Sequence, residues 1–100
     1  MTSSLQFRHD PSSRRYEAWL DGELAGHIEY SVDQDDDGQV IVSILHTVIG
    51  PDFEGRGIAS ALTSHVTKQI RADGHKLRPV CTYTQDWIDR HQDRVCDILH

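Results

Sequence analysis

The segment from Val40 to Leu62, VIVSILHTVIGPDFEGRGIASAL, constrains the fold more than any other part of the chain. Its first part, Val40 to Ile49, is apolar on both alternating sets, the pattern of a central strand covered on both faces. Gly50-Pro51 ends that run. Beyond Gly57 the apolar period changes: Ile58, Leu62, Val66 and Ile70 recur at steps of four, with Ala59 and Ala61 nearby, which predicts a helix to Asp73 with one apolar face. Gly74 follows where helix C-termini favour glycine.

The flanking sequence supplies the rest of the sheet. Leu5 to His9 and Arg15 to Leu20 alternate as short strands, and Asp21-Gly22 is a hairpin signal leading to a third strand, Leu24 to Val32. An acidic loop, Asp33 to Gly38, then turns the chain into the Val40 strand. Lys76 to Tyr83 reads as a further strand, with Pro79 marking an edge or bulge where a ladder bond is missing. From Gln85 onward, Trp87, Ile88, Val95, Ile98 and Leu99 predict one bent or two short helices, with Trp87 as a core anchor. The succession predicts an α+β fold: a mixed, mainly antiparallel sheet, a helix packed between its last two strands, and a short C-terminal helical segment. A chain of 100 residues has room for one hydrophobic core, so residues 1–100 are expected to form one domain.

Charge and cysteine content narrow the partners. The net charge of −6 has the wrong sign for gripping a phosphate backbone over a wide surface, which argues against nucleic acid, and it would draw in a cationic amine. No apolar run approaches the length of about 18 residues that a membrane span needs. The N-terminus, MTSSLQFRHDPSSRR, lacks the apolar stretch of a secretory signal, so a cytoplasmic location is expected. In that reducing setting Cys81 and Cys96 are expected to be free thiols.

The glycine pair Gly55 and Gly57 precedes the helix and allows a ligand close to the main chain, while Arg56 between them could add a charged contact. A strand turning into a helix delivers unpaired N–H groups and the positive end of a helix dipole to one point, which suits phosphate. No Ser, Thr, Asp or Asn occupies the capping position in Glu54 to Gly57, so a bound anion could cap the helix. The glycines alone fit a plain turn equally well. His46 interrupts an apolar strand face, and Cys81 is placed on a strand with Pro79 and Tyr83; each is a candidate for chemistry and each has an ordinary core role open to it.

Other signals carry less. Asp33 to Gly38 fits the first half of a calcium loop, D-x-D-x-D-G, but Ile44 stands where a bidentate Glu is required and strands flank the loop. Cys81, His91 and Cys96 lack tight metal-ligand spacing, so no metal site is expected. His9, His27, His65 and His75 are read as mostly surface residues.

The strand ending at Ile49 followed by EGRGIASAL resembles the acetyl-CoA-binding motif Q/R-x-x-G-x-G/A of the GNAT superfamily of N-acetyltransferases. Glu54-Gly55-Arg56-Gly57-Ile58-Ala59 occupies that motif; Gly57 and Ala59 match its small positions, and Glu54 departs from its first. With HTVIGPDFEGRGIASAL, Pro79-Val80-Cys81 and the tail Trp87-Ile88-Asp89-Arg90-His91, the chain resembles a small GNAT-like subfamily of about 100 residues with a cysteine after the motif helix.

The resemblance implies an acetyl-CoA-dependent N-acetyltransferase acting by direct transfer on a small-molecule or protein amine, or else a non-catalytic acetyl-CoA-binding module. It implies cofactor contacts at Val48, Ile49 and the motif residues Glu54 to Ala59, with Glu54 pointing away from the pyrophosphate. The acetyl-pantetheine arm would lie where two strands splay apart, with His46 and Cys81 on opposite walls. His46 would accept the amine's proton directly or through water. Cys81 would line the acetyl pocket or donate to the thiolate, with transient acetylation of the thiol a third role, and Tyr83 is a second candidate acid. The tyrosine that larger members carry on a later helix has no obvious counterpart.

Overall fold

The computed structural model describes residues 4–100. The first three residues of the stretch read above for a secretory signal therefore lie outside the described residues. Strands β1 (Leu5–Asp10), β2 (Arg15–Leu20), β3 (Glu23–Gln34) and β4 (Val40–Ile49) come first, followed by a 3-10 turn at Pro51–Phe53. Then come helix α1 (Ile58–Ala72), strand β5 (Lys76–Pro79) and helices α2 (Thr82–Arg90) and α3 (Gln92–Val95). The strands form one five-stranded sheet in chain order, with β1 to β4 antiparallel and β5 parallel to β4. The parallel pair requires a crossover, and α1 supplies it. The helix lies across β2 to β5 rather than only between the last two strands.

Local chemistry explains the turns. Asp21 and Gly22 both have positive φ, 51° and 85°, the conformation a two-residue hairpin needs. Asp35 closes the β3–β4 hairpin: its Oδ1 accepts from the amides of Asp37 and Gln39, each at 2.9 Å. The carboxylate therefore builds the turn. The strand before this turn extends through Gln34, two residues beyond the expected end, because Asp33 and Gln34 still pair with Ile41 and Val40. At the end of α1, Gly74 has φ 73°, its amide donates to Arg71 O, and the His75 amide donates to Ile70 O. These two bonds satisfy carbonyls that the last turn would leave open.

One face of α1, carrying Ile58, Leu62, Val66 and Ile70, packs on Tyr16, Ala18, Ile28, Tyr30, Val42 and Ile44. Each of these apolar helix side chains contributes about 1.5–3 kcal/mol by leaving water. Trp87, Ile88, Val95 and Ile98 close the same core from the C-terminal helices. Leu99 bridges Leu77 on the outer side of β5, and Arg71 grips Asp97 through two bonds of 2.9 Å.

The β3–β4 register contains the irregularity that governs the site. Glu29 pairs with His46, but Tyr30 pairs with Ile44, so Leu45 is a bulged residue. An extra residue reverses the alternation. Val42 and Ile44 face the helical core, and beyond the bulge that face is taken by Thr47 and Ile49, not by His46 and Val48. The expectation that β4 is covered on both faces holds only for its first half: Ile41 and Ser43 are buried, whereas His46 is exposed and Val48 is 47% exposed on the face away from the helices.

The last strand is also shorter than expected. Pro79 has no N–H, and the next two amides, of Val80 and Cys81, both donate to Ile44 O. That convergence ends the ladder at Pro79. Cys81 and Tyr83 are consequently not on a strand: Cys81 is the N-cap residue of α2 and Tyr83 lies in its first turn.

Candidate active site

Strand β4 runs five residues past its last partner on β5, the pair Ile44–Pro79, and this leaves its edge open from Leu45 to Ile49. The start of α2 stands beside that edge, and the start of α1 stands at its end. A cavity of about 390 Å³ lies between them, lined by Thr47, Ile49, Gly57, Ala59, Ser60 and Tyr83, with Glu54 and Phe53 on its margin. It is large enough to hold the arm of a cosubstrate, and its strand edge offers main-chain donors and acceptors to an extended ligand.

Two glycines build its polar end. Gly55 has φ 76° and Gly57, the N-cap of α1, has φ 75°; neither would bring an added Cβ against a neighbour. They are required by backbone conformation, not by crowding. No side chain caps α1. Its first-turn N–H groups thus face the cavity mouth without an internal acceptor, which suits an anion. Arg56, expected to add a charged contact there, instead lies with its guanidinium carbon 5.9 Å from the centre of the Phe53 ring. That stacking draws it off the cavity lining.

Tyr83 and Thr47 also line the cavity, and Cys81 sits against Thr47. The Cys81 Sγ lies 3.6 Å from Thr47 Oγ1. Burial pushes the Cys81 thiol up, but the Thr84 amide, the Thr47 hydroxyl, the Tyr83 amide and the Thr84 hydroxyl together hold it below its ordinary value. Burial pushes the Tyr83 phenol up, opposed by Arg90 and reinforced by Cys81, so Tyr83 keeps its proton at neutral pH. Trp87 Nε1 donates to Ser60 Oγ at 3.0 Å and ties α2 to the first turn of α1.

The expected pairing of His46 with Cys81 does not occur. The bulge at Leu45 turns His46 to the opposite face of the sheet, beside its cross-strand partner Glu29, and Thr47 takes the place facing Cys81. Val48 is turned the same way, leaving only its main chain toward the gap. Ile49, Glu54, Gly55, Gly57, Ile58 and Ala59 gather at the cavity or its mouth. Tyr83 stands in the first turn of α2, the helix after β5. Thr47, Ser60 and Thr84 were not singled out in the sequence; small hydroxyl residues in a strand or helix carry no spacing signal.

An open strand edge, a glycine turn and an uncapped helix surround one cavity. The family model of GCN5-related N-acetyl-transferases matches residues 15–98. The chain belongs to that family, whose acetyl donor is acetyl-CoA.

Among solved structures, a GCN5-like putative N-acetyltransferase from Staphylococcus aureus superposes with TM-score 0.69 at 16% identity, covering 99% of this chain and 91% of that one. Arabidopsis thaliana Naa50, solved with the bisubstrate analogue CoA-Ac-MVNAL, gives TM-score 0.61 at 16% identity over 93% and 82%. An aminoglycoside acetyltransferase from an uncultured soil metagenomic sample, in complex with sisomicin, gives 0.62 at 13% identity over 80% of this chain. This chain spans only 55% of that enzyme's length. Among curated proteins, none matches. No helix among the described residues is long and apolar enough to cross a membrane.

Proposed function

We propose that this protein is an N-acetyltransferase that moves the acetyl group of acetyl-CoA directly to an amine. The observation that carries this reading is the uncapped N-terminus of α1, entered through two left-handed glycines, at the mouth of a cavity lined by Tyr83 and by Thr47, against which Cys81 rests. The pyrophosphate would take the free amides at Gly57 to Ser60, and the pantetheine arm would lie along the open edge of β4. Glu54 is exposed on the cavity margin and would turn to solvent.

The chemistry then follows from position. A neutral amine nitrogen attacks the thioester carbonyl, an N–C bond forms and the C–S bond breaks. Main-chain N–H groups on β4 past Ile44 have no β5 partner and can hold the developing oxyanion. The departing thiolate takes a proton from Tyr83, whose phenol keeps its proton, or from the Cys81 thiol. The acceptor would enter through the gap between β4 and β5 from the uncovered face of the sheet, where His46 is exposed next to Glu29 and would receive the amine's proton. The net charge of −6 favours a cationic acceptor.

The separation of His46 from Cys81 by the thickness of the sheet favours a second reading, a module that binds acetyl-CoA without efficient turnover. Calorimetry with acetyl-CoA and CoA, followed by CoA release across amines, polyamines and lysine peptides, decides between them. Binding without acceptor-dependent turnover selects the second reading, and no binding removes both. An acetyl group retained on Cys81 after mixing with acetyl-CoA alone would replace direct transfer by a covalent route.

A further inference from the structure

Cys81 sits among groups able to donate to its sulfur. Its Sγ is 3.6 Å from the Thr47 hydroxyl, and it caps a nine-residue helix whose Tyr83 and Thr84 amides point back at it. A second observation is independent of the cysteine. The Thr84 side chain is fully buried, at 0% exposure, yet its hydroxyl has no hydrogen-bond partner. A buried orphan hydroxyl is costly unless something completes it. Thr84 stands in the first turn of α2, three residues past the N-cap Cys81, which puts this hydroxyl near the Cys81 sulfur, where it can donate to a thiolate. The other free cysteine, Cys96, is exposed beyond α3 and lines a separate cavity with Arg94 and Asp97.

We propose that Cys81 is a site of reversible mixed-disulfide formation with CoA, through which CoA disulfide blocks the cavity and silences the protein. This rests on the reading that the cavity takes acetyl-CoA, since the same arm would bring the disulfide sulfur to Cys81. In the exchange, the Cys81 proton passes to solvent and Sγ attacks one sulfur of CoA disulfide. A Sγ–S bond forms as the S–S bond breaks, and the second CoA leaves as a thiolate that is protonated by solvent. The disulfide is the oxidant and no other is required. A small thiol reverses the step. Delivery by binding raises the effective concentration of the disulfide at Cys81 and leaves Cys96 with ordinary bimolecular exchange.

The test is intact-mass and peptide-level mass spectrometry of the full chain treated with CoA disulfide, with glutathione disulfide in a parallel arm. The expected result is one added CoA on Cys81, formed about tenfold or more faster than on Cys96, reversed by dithiothreitol and suppressed by excess acetyl-CoA. Glutathione disulfide should show no such preference for Cys81. Thr84→Val should slow CoA addition at Cys81 several-fold relative to Cys96. Calorimetry with reduced CoA separates the two ways of failing. CoA binding accompanied by an unmodified Cys81, or by equal reaction at Cys96, overturns the proposal alone. Absence of CoA binding overturns the cofactor reading and the proposal with it.

Discussion

The Cys81 sulfur and the Thr47 hydroxyl face each other at 3.6 Å across the gap between α2 and β4, although they are far apart in the chain. With the thiol protonated, Sγ–H donates to Thr47 Oγ1; on ionisation the hydroxyl can rotate and donate in return. Thr47 reaches this position only because Leu45 is bulged out of register.

Thr47→Val should therefore raise the Cys81 pKa and slow its alkylation near neutral pH by about three- to tenfold, without unfolding the protein. His46→Ala should leave the alkylation rate unchanged, since its ring is on the other face. Iodoacetamide kinetics across pH measure both, and an effect of His46 equal to that of Thr47 would contradict the register.

Gly57→Ala separates a plain turn from a ligand loop. A Cβ there meets no neighbour, but φ of 75° costs an alanine about 1 kcal/mol. Thermal stability should drop slightly while acetyl-CoA affinity falls about tenfold or more, because the methyl group and any backbone relaxation disturb the phosphate donors. Calorimetry showing wild-type affinity would reduce the glycine pair to a turn.

Gly26→Ala acts by crowding. Its Cβ would lie 2.5 Å from Val48 O and 2.6 Å from Ile49 Cδ1, and a backbone carbonyl cannot swing aside. A loss of about 1–3 kcal/mol in urea unfolding is expected, with weakened acetyl-CoA binding because Ile49 lines the cavity. Gly38→Ala, with open space around it, is the control that should cost less.

His65 on α1 stacks on Phe7 with ring centres 4.5 Å apart. Burial, then His9 and Lys68, lowers its pKa below the ordinary 6.5. The unfolded chain therefore binds the proton more readily. Its contribution to stability is complete above about pH 6.5 and is lost as pH falls toward the folded value. His65→Phe should flatten the pH dependence of unfolding between pH 7.5 and 5, an effect absent if the ring were a free surface group.

Arg71→Ala should loosen the C-terminal segment by removing the paired bonds to Asp97. The Leu77 and His100 amides, bonded to Ile98 O and Leu77 O, should exchange hydrogen faster, while amides in β2 and β3 stay protected.

Much of this protein was legible from local pattern. The period-two segments, the Asp21-Gly22 hairpin, the four-step apolar face of α1 and the Gly74 stop depend on backbone sterics and on which side of one element is apolar. The glycine loop was legible for the same reason, since positive φ is a local requirement. His65 was misread as surface because its shelter comes from β1, distant in sequence.

The side chains that meet beside the cavity required the tertiary structure. A bulge follows from how two strands pair, and neither strand's composition announces it; one extra residue at Leu45 exchanged His46 for Thr47 at the site. The early end of β5 arises because Val80 and Cys81 compete for one carbonyl of Ile44 after a proline that donates nothing, which moves Cys81 from a strand face to a helix cap. The sequence alone determined that a strand, a glycine turn and a helix would meet. Which side chains face one another across that meeting was decided by register, a property of two segments paired in space.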